Sequence, residues 1–145
     1  MNPRVLILPG LYDSGPEHWQ SHWEAEHGFT RVNQRDWDTP DLREWVETLQ
    51  RAVRAEPGPM VLVAHSLACC LVAHWAGAHP GEDVRGALLV APSDVEAPDF
   101  PPVTGFAPMP LAPLPFPGRR AFSAGPHSFF RMSQSTGQEG RSAWT

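Results

Sequence analysis

Short apolar runs alternate with longer segments of mixed polarity from Arg4 to Pro92. The runs "RVLILPG", "PMVLVAH" and "VRGALLVAP" are continuous in their apolar residues, and "TRVNQRDW" is a weaker run of the same kind. Continuous short runs of this type are typical of strands that are buried on both faces of a parallel sheet. We therefore predict four β-strands in this part of the chain.

Three helices are predicted between these strands. The first lies between Ser14, near its N-cap, and Gly28, which stops it. The third runs from about Leu67 to His79. The second, in residues 39–58, shows the i, i+3, i+4, i+7 repeat of an amphipathic helix, formed by Leu42, Trp45, Val46, Leu49 and Val53. Strands that alternate with such helices form right-handed βαβ units, so we predict a three-layer, doubly wound α/β fold with a parallel sheet.

This pattern ends at Pro92. Nine prolines lie in residues 92–117, and because proline cannot donate to a sheet ladder and stops helices, we predict a loop or lid in extended conformation. Residues 118–145 show neither period and are rich in Ser, Gly, Gln and Arg. We predict an α/β domain over residues 1–117 and an irregular, disordered tail over 118–145, so that the C-terminal part of the fold is missing or disordered.

Composition narrows the classes of partner. The 145 residues suffice for one domain. The net charge is −5, with 11 Lys and Arg residues that form no run, which argues against nucleic acid or an anionic membrane surface and favours a small-molecule substrate. No feature specifically supports a protein partner.

Two further features bear on the compartment. No segment approaches the about 18 apolar residues of a membrane span, and "MNPRVLILPG" lacks the pattern of a signal peptide. The two cysteines, Cys69 and Cys70, are adjacent, and this favours reduced thiols because neighbouring cysteines rarely form a disulfide. Since the sequence has no other cysteine, a thiolate zinc site is excluded. We expect a cytoplasmic protein that needs no metal and no cofactor.

Ser66 is the principal candidate for catalysis. In "VLVAHSLACC" it stands between the third strand and the third helix, with the small residues Ala64 and Ala68 two positions before and after it. This is a relaxed form of the G-x-S-x-G nucleophile elbow, in which a strained turn presents the serine at the end of a strand. The alternative is that Ser66 is only the N-cap of the helix.

The turn after the first strand could supply the matching electrostatic feature. In "PGLYDSGPEHW" the backbone N–H of Leu11 could point to the same place as the N–H of Leu67, the residue after Ser66. Two such donors form an oxyanion hole. The alternative is a Pro-Gly turn that simply ends a strand.

The partners of Ser66 are less evident. The order serine, acid, histidine allows Asp94 or Asp99 with His127. His65 adjoins Ser66, but successive side chains point apart, so we interpret it as a partly buried histidine that lines the site.

Two histidines have the spacing of metal ligands. His18 and His22 have the i, i+4 spacing of metal ligands on one helix face. No third ligand is evident, so this pair by itself does not predict a metal site.

Four separated blocks carry a family resemblance: "LILPGLYDSGPEHWQSHWE", "WDTPDLREWV", "LVAHSLACCLVAHWA" and "GALLVAPSDVE". In this order and spacing they resemble the small bacterial α/β-hydrolases related to the retinoblastoma-binding-protein-nine family of serine hydrolases, over about Val5 to Pro117. The resemblance implies a doubly wound hydrolase fold, Ser66 as nucleophile, and Leu11 and Leu67 as oxyanion donors. The usual activity in the family is ester hydrolysis.

The chain departs from this family after "PLPFP". The family continues with a strand of the kind VVASRDDP, whose Asp orients the catalytic histidine, and later with a Gly-His turn that carries the histidine. Here "GRRAFSAGPHSFF" follows instead. If the acid and the histidine are lost, we expect a chain nearly inactive on activated esters. The alternative function is a non-catalytic binding module, a pseudohydrolase that holds a ligand or a protein.

We hypothesise a reading-frame shift at this point. Residues 119–126 can be encoded as CGT CGT GCT TTC AGC GCG GGA CCC, and one base forward the same DNA reads V-V-L-S-A-R-D-P. Sequencing the source DNA across Gly118 tests this hypothesis, and we expect a frame that returns to the family pattern. An unbroken frame, with relatives that share the tail, would contradict it.

Overall fold

Five parallel strands form the centre of residues 2–121, the part of the chain that the computed structural model describes. The elements in chain order are β1 (Arg4–Leu8), α1 (Trp19–His27), β2 (Thr30–Arg31), α2 (Leu42–Arg54), β3 (Met60–His65), α3 (Leu67–Ala78), β4 (Val84–Val90) and β5 (Gly118–Ala121). The strands lie side by side in the order β2-β1-β3-β4-β5. The predicted doubly wound α/β class is confirmed.

The strand order decides which face each helix covers. The step from β1 to β2 runs in one direction along the sheet, and the steps to β3 and β4 run in the other. Right-handed crossovers therefore place α1 on one face and α2 and α3 on the opposite face. The last two helices are in contact, and Trp75 donates its ring N–H to the side-chain oxygen of Gln50 over 2.8 Å.

The helix ends follow local capping chemistry. Asp41 caps α2 by accepting a hydrogen bond from the N–H of Glu44, and Gly28 ends α1 with a left-handed φ of 68°. α1 begins later than predicted, with His18 as its N-cap, whose ring accepts from the N–H of Gln20. Ser14 does not cap this helix because its hydroxyl donates to the side chain of Gln20.

The Pro-rich segment packs over the face that α2 and α3 occupy. As predicted, it contains no helix or strand between Ala91 and Pro117. Thr104 exchanges backbone hydrogen bonds with the entrance of α2, accepting from Leu42 N–H over 2.9 Å. Phe106 is fully buried against the ring of Trp45, and its carbonyl lies 2.7 Å from Nε2 of His74. The segment therefore replaces a crossover helix as a fixed layer of the core.

The predicted irregular tail is wrong for its first four residues. Gly118–Ala121 form β5, which pairs in parallel with β4, with Leu89 opposite Arg120. The sequence Gly-Arg-Arg-Ala has no apolar period, but the exposed edge of β4 supplies backbone partners whatever the side chains are. Residues 122–145 lie outside the described part, so their predicted disorder stays a prediction.

Two other expectations concern features within residues 2–121. No helix in this range has the length and apolar character needed to span a bilayer. Cys69 and Cys70 are both buried free thiols, and burial raises the pKa of each.

The packing of the Pro-rich segment can be tested with two substitutions within it. We expect Phe106→Ala to lower the free energy of unfolding by about 3–5 kcal/mol, because it empties a fully buried aromatic site. Leu111→Ala is the matched control, since Leu111 is 82% exposed and its truncation leaves no cavity. Urea denaturation measures both variants. Equal stability of the two would contradict a fixed layer and favour a loose lid.

Candidate active site

The backbone at Ser66 is strained. Ser66 has φ 57° and ψ −120°, a conformation that residues with a side chain rarely adopt, and it lies between the end of β3 and the first residue of α3. Its backbone N–H donates to the carbonyl of Val90 on β4 over 2.9 Å. Such strain costs about 1–3 kcal/mol and persists only where the surrounding structure imposes it.

Ser66 occupies the N-cap position of α3 without acting as a cap. Its side chain makes no capping hydrogen bond to the helix. The hydroxyl instead lies 2.8 Å from the hydroxyl of Ser93. The side chain therefore does not support the alternative prediction that Ser66 is only the N-cap of α3.

Ser93 was not identified from the sequence. It lies just beyond the end of β4 and is only 2% exposed. The predicted strands could have indicated Ser93, because β3 and β4 are consecutive parallel strands and residues just beyond them meet at one edge of the sheet. The hydroxyl pair joins the two loops at that edge.

The loop after β1 lies in close contact with the turn at Ser66. A Cβ atom added to Gly10 would lie 2.7 Å from the carbonyl oxygen of His65 and 3.0 Å from the backbone nitrogen of Leu67. It would also lie 3.1 Å from Cβ of Ser66. The structure therefore brings the backbone beside Leu11 against the first residue of α3.

This loop is held in an unusual conformation. Tyr12 and Asp13, which follow Leu11, both have left-handed φ values, 68° and 67°. The N–H of Tyr12 donates to the carbonyl of Trp37 over 3.0 Å, and the N–H of Asp13 donates back to Gly10 over 3.0 Å. The two bonds fix a tight turn directly after Gly10.

A single arginine anchors the loop from β2. Arg31 donates to the carboxylate of Asp13 over 2.6 Å and to the carbonyl of Ser14 over 3.1 Å. It also donates to the hydroxyl of Ser21 over 2.6 Å and to the carboxylate of Glu24 over 2.8 Å on α1. Charge-assisted bonds of this kind, made by a largely buried guanidinium, are among the stronger hydrogen bonds in proteins.

A buried glutamine ties the two central strands together beneath the site. The side-chain nitrogen of Gln20 donates to the carbonyls of Leu8 on β1 and Val63 on β3, over 3.0 and 3.1 Å. Its oxygen accepts from the hydroxyl of Ser14 over 2.7 Å. The end of β1, the end of β3 and the loop are thereby linked through one fully buried side chain.

Two histidines next to the turn are neutral at pH 7. The rings of His18 and His65 are in contact, with centroids 4.5 Å apart, and Trp19 packs beside both. Burial, helped by His18, lowers the pKa of His65 to about 4, and burial and Arg31 lower the pKa of His18. His65 is half-buried beside Ser66, as predicted.

Of the residues predicted as the acid and base partners of Ser66, the structure describes Asp94 and Asp99. Asp94 directly follows Ser93 at the same edge of the sheet, and its carboxylate accepts from the N–H of Glu96 over 3.2 Å. Asp99 is exposed farther along the Pro-rich segment. His127 lies outside the described residues. Within residues 2–121, Ser66, Ser93 and the loop that contains Leu11 therefore lie together. The triad of Ser66 with Asp94 or Asp99 and His127 stays a prediction.

Comparison with known proteins identifies the family of the chain. The model of a family described as serine hydrolase matches residues 5–136. The chain belongs to the serine hydrolase family. No curated protein sequence matches it.

A solved structure of a protein described as a YdeN-like hydrolase from Pectobacterium atrosepticum is similar to this serine hydrolase chain. It is 31% identical, with a TM-score of 0.70, over 82% of this chain and 62% of the other. The chain therefore spans less than two thirds of that protein's length.

Two further solved structures are more distant. The ydeN gene product of B. subtilis is 24% identical, with a TM-score of 0.49, over 64% of this chain and 53% of its own. A protein described as a hydrolase of the α/β superfamily from Xanthomonas campestris pv. campestris is 21% identical, with a TM-score of 0.47, over 81% and 69%.

The histidine pair with metal-ligand spacing is divided between other contacts. His18 accepts from Gln20 and packs on His65, whereas His22 is exposed and lies 3.8 Å from Glu17. Among residues 2–121, no three His, Cys, Asp or Glu side chains are grouped closely enough to hold a metal ion.

The close approach of the β1 loop to the turn predicts a sharp difference between two glycines. We expect Gly10→Ala to lower the free energy of unfolding by about 1–3 kcal/mol, because the new methyl group meets backbone atoms of His65 and Leu67. In the same loop, Gly15→Ala meets nothing within 4 Å and serves as the control, with a change within about 0.5 kcal/mol. Chemical denaturation compares the two. Similar stabilities would show that the loop stands away from the turn.

Proposed function

We propose that this chain is a serine hydrolase for a small ester or amide, with Ser66 as the nucleophile of a nucleophile elbow, and that it turns substrate over slowly because the catalytic acid and histidine are lost. The observation that carries the proposal is the strained backbone of Ser66 at a strand-to-helix turn, with a hydroxyl that caps no helix. A serine that only started a helix would need neither feature, because N-cap residues ordinarily adopt unstrained extended backbone. Membership of the serine hydrolase family supports the same chemistry.

The proposed reaction begins with attack of the Ser66 oxygen on the carbonyl carbon of the substrate. As the C–O bond forms, the Ser66 proton passes to a base and the carbonyl oxygen becomes negative. The N–H groups of Leu11 and Leu67 stabilise this charge, which is the largest electrostatic contribution in such sites. Collapse expels the alcohol or amine with a proton, and water then releases the acyl group from Ser66.

The β1 loop is suited to this role for two reasons. Arg31 and Gln20 hold it through three hydrogen bonds to Asp13 and Ser14, so its N–H groups need no rearrangement during the reaction. The neutral His18 and His65 beside it place no positive charge that would favour an anionic substrate. An uncharged ester or amide fits these surroundings best.

The burial of Arg120 supports the proposed frame shift. Arg120 is a buried residue of β5, and burial lowers the pKa of its guanidinium to about 10. Charged side chains are costly to bury, whereas the shifted frame reads valine at this position. We propose that β5 is the start of the family strand whose Asp orients the catalytic histidine.

Two narrower statements belong to the same proposal. We place the chain with the relatives of the retinoblastoma-binding-protein-nine family on the four sequence blocks that it shares with them. We also propose a cytoplasmic location, which the two free buried thiols favour.

Reaction with a fluorophosphonate probe tests the nucleophile. We expect the folded chain to be labelled at Ser66, as mapped by mass spectrometry, and Ser66→Ala to remove the label. Thr48→Ala, which removes a hydroxyl from α2 on the outer layer, should be labelled like the wild type. Turnover of p-nitrophenyl acetate should stay low, at the roughly 10³–10⁴-fold excess over water that remains when a catalytic base is lost.

Two outcomes would contradict parts of this proposal. A folded sample that no probe labels would favour a non-catalytic binding module instead. Ordinary esterase turnover that depends on Ser66 would show that the chain has its own base, and His127→Ala would then identify whether His127 is that base.

A further inference from the structure

We propose that Ser93 is the positioning residue of Ser66, and that its hydroxyl donates a hydrogen bond to the Ser66 oxygen. This inference rests on the proposed function, because it assigns a role in the reactivity of the same serine. Its basis is the 2.8 Å contact between the two hydroxyl oxygens. Ser93 lies in neither the G-x-S-x-G pattern nor the oxyanion hole.

The difference in burial between the two serines decides which of them donates. Ser93 is 2% exposed, and within residues 2–121 its hydroxyl has Ser66 as its hydrogen-bond partner. If Ser66 donated, the Ser93 proton would be buried without an acceptor, which is costly. Ser66 is half-buried and can turn its own proton to water or to a base. The arrangement with Ser93 as donor satisfies both hydroxyl groups.

Ser93 is itself held rigidly against the turn. Its carbonyl accepts from the thiol of Cys70 on α3 over 3.4 Å. Ala91, two residues before Ser93, has a left-handed φ of 52°, which bends the chain immediately after β4. The N–H of Ser66 is bound to the carbonyl of Val90. Ser93 is therefore bound to α3 through its carbonyl, and Val90, three residues before it, is bound to the backbone of Ser66. These contacts keep the two hydroxyl groups next to each other.

This geometry has a consequence for nucleophilic attack. The bond from Ser93 occupies one lone pair of the Ser66 oxygen and fixes its rotamer, while the other lone pair stays available for attack. The Ser66 proton points away from Ser93, toward the solvent or base that removes it. As negative charge develops on the oxygen, the bond from Ser93 becomes charge-assisted and stronger. Ser93 keeps its proton throughout.

The rate of fluorophosphonate labelling at saturating probe tests this role. In that reaction the Ser66 oxygen forms a bond to phosphorus, fluoride leaves, and the Ser66 proton passes to the buffer. We expect Ser93→Ala to lower the saturated labelling rate about tenfold, since it removes one hydrogen bond to a developing charge. The probe concentration for half-saturation should not change, because Ser93 is too buried to contact the probe.

Two further variants separate positioning from a general structural effect. Ser93→Thr keeps the hydroxyl and should restore most of the saturated rate. Cys69→Ala removes a buried thiol that, among residues 2–121, donates to the carbonyls of Ala64 and Val90. It should lower the melting temperature and leave the labelling rate within about twofold of the wild type, as expected where the reacting group is untouched.

The outcomes distinguish this inference from the proposal on which it rests. A wild-type chain that is not labelled at all overturns both. Labelling of the wild type and of Ser93→Ala at the same saturated rate overturns the role of Ser93 alone and leaves Ser66 as nucleophile. A slower Ser93→Ala whose half-saturation also shifts, or that Ser93→Thr does not restore, overturns positioning and assigns Ser93 to packing.

Discussion

The strained turn at Ser66 is the constraint around which the rest of the site is built. A left-handed φ at a serine is unfavourable, so the flanking structure must supply the free energy that maintains it. On one side Gly10 brings the β1 loop within contact distance of the turn, where no side chain could fit. On the other side Val90 and Ser93 bind the backbone and the hydroxyl of Ser66.

The neighbouring polar groups contribute rigidity rather than charge. Arg31 and Gln20 are both largely buried; Arg31 binds Asp13 and Ser14 of the β1 loop, and Gln20 binds Ser14 and the two strands beneath the loop. The histidines nearest the turn are uncharged at neutral pH because burial lowers the pKa of each. The polar groups around the turn therefore hold the β1 loop and the two strands in place.

The Pro-rich segment shows how the fold continues without a crossover helix. Right-handed connection from β4 to β5 requires the chain to cross the face covered by α2 and α3. Phe106 and the backbone of Thr104 supply the contacts that a helix would otherwise make there. The same crossing leads to β5, where burial lowers the pKa of the Arg120 guanidinium.

The sequence alone determined the α/β class, the helices around Trp45 and Trp75 and the special position of Ser66, because each depends on local periodicity or on a short turn. It did not reveal β5, since an edge strand pairs through its backbone and Gly-Arg-Arg-Ala carries no period. Nor did it reveal Ser93 or the anchoring by Arg31, because both lie far along the chain from what they bind. Only the parallel packing of β2, β1, β3 and β4, which brings Arg31 to the β1 loop and Ser93 to Ser66, decided those contacts.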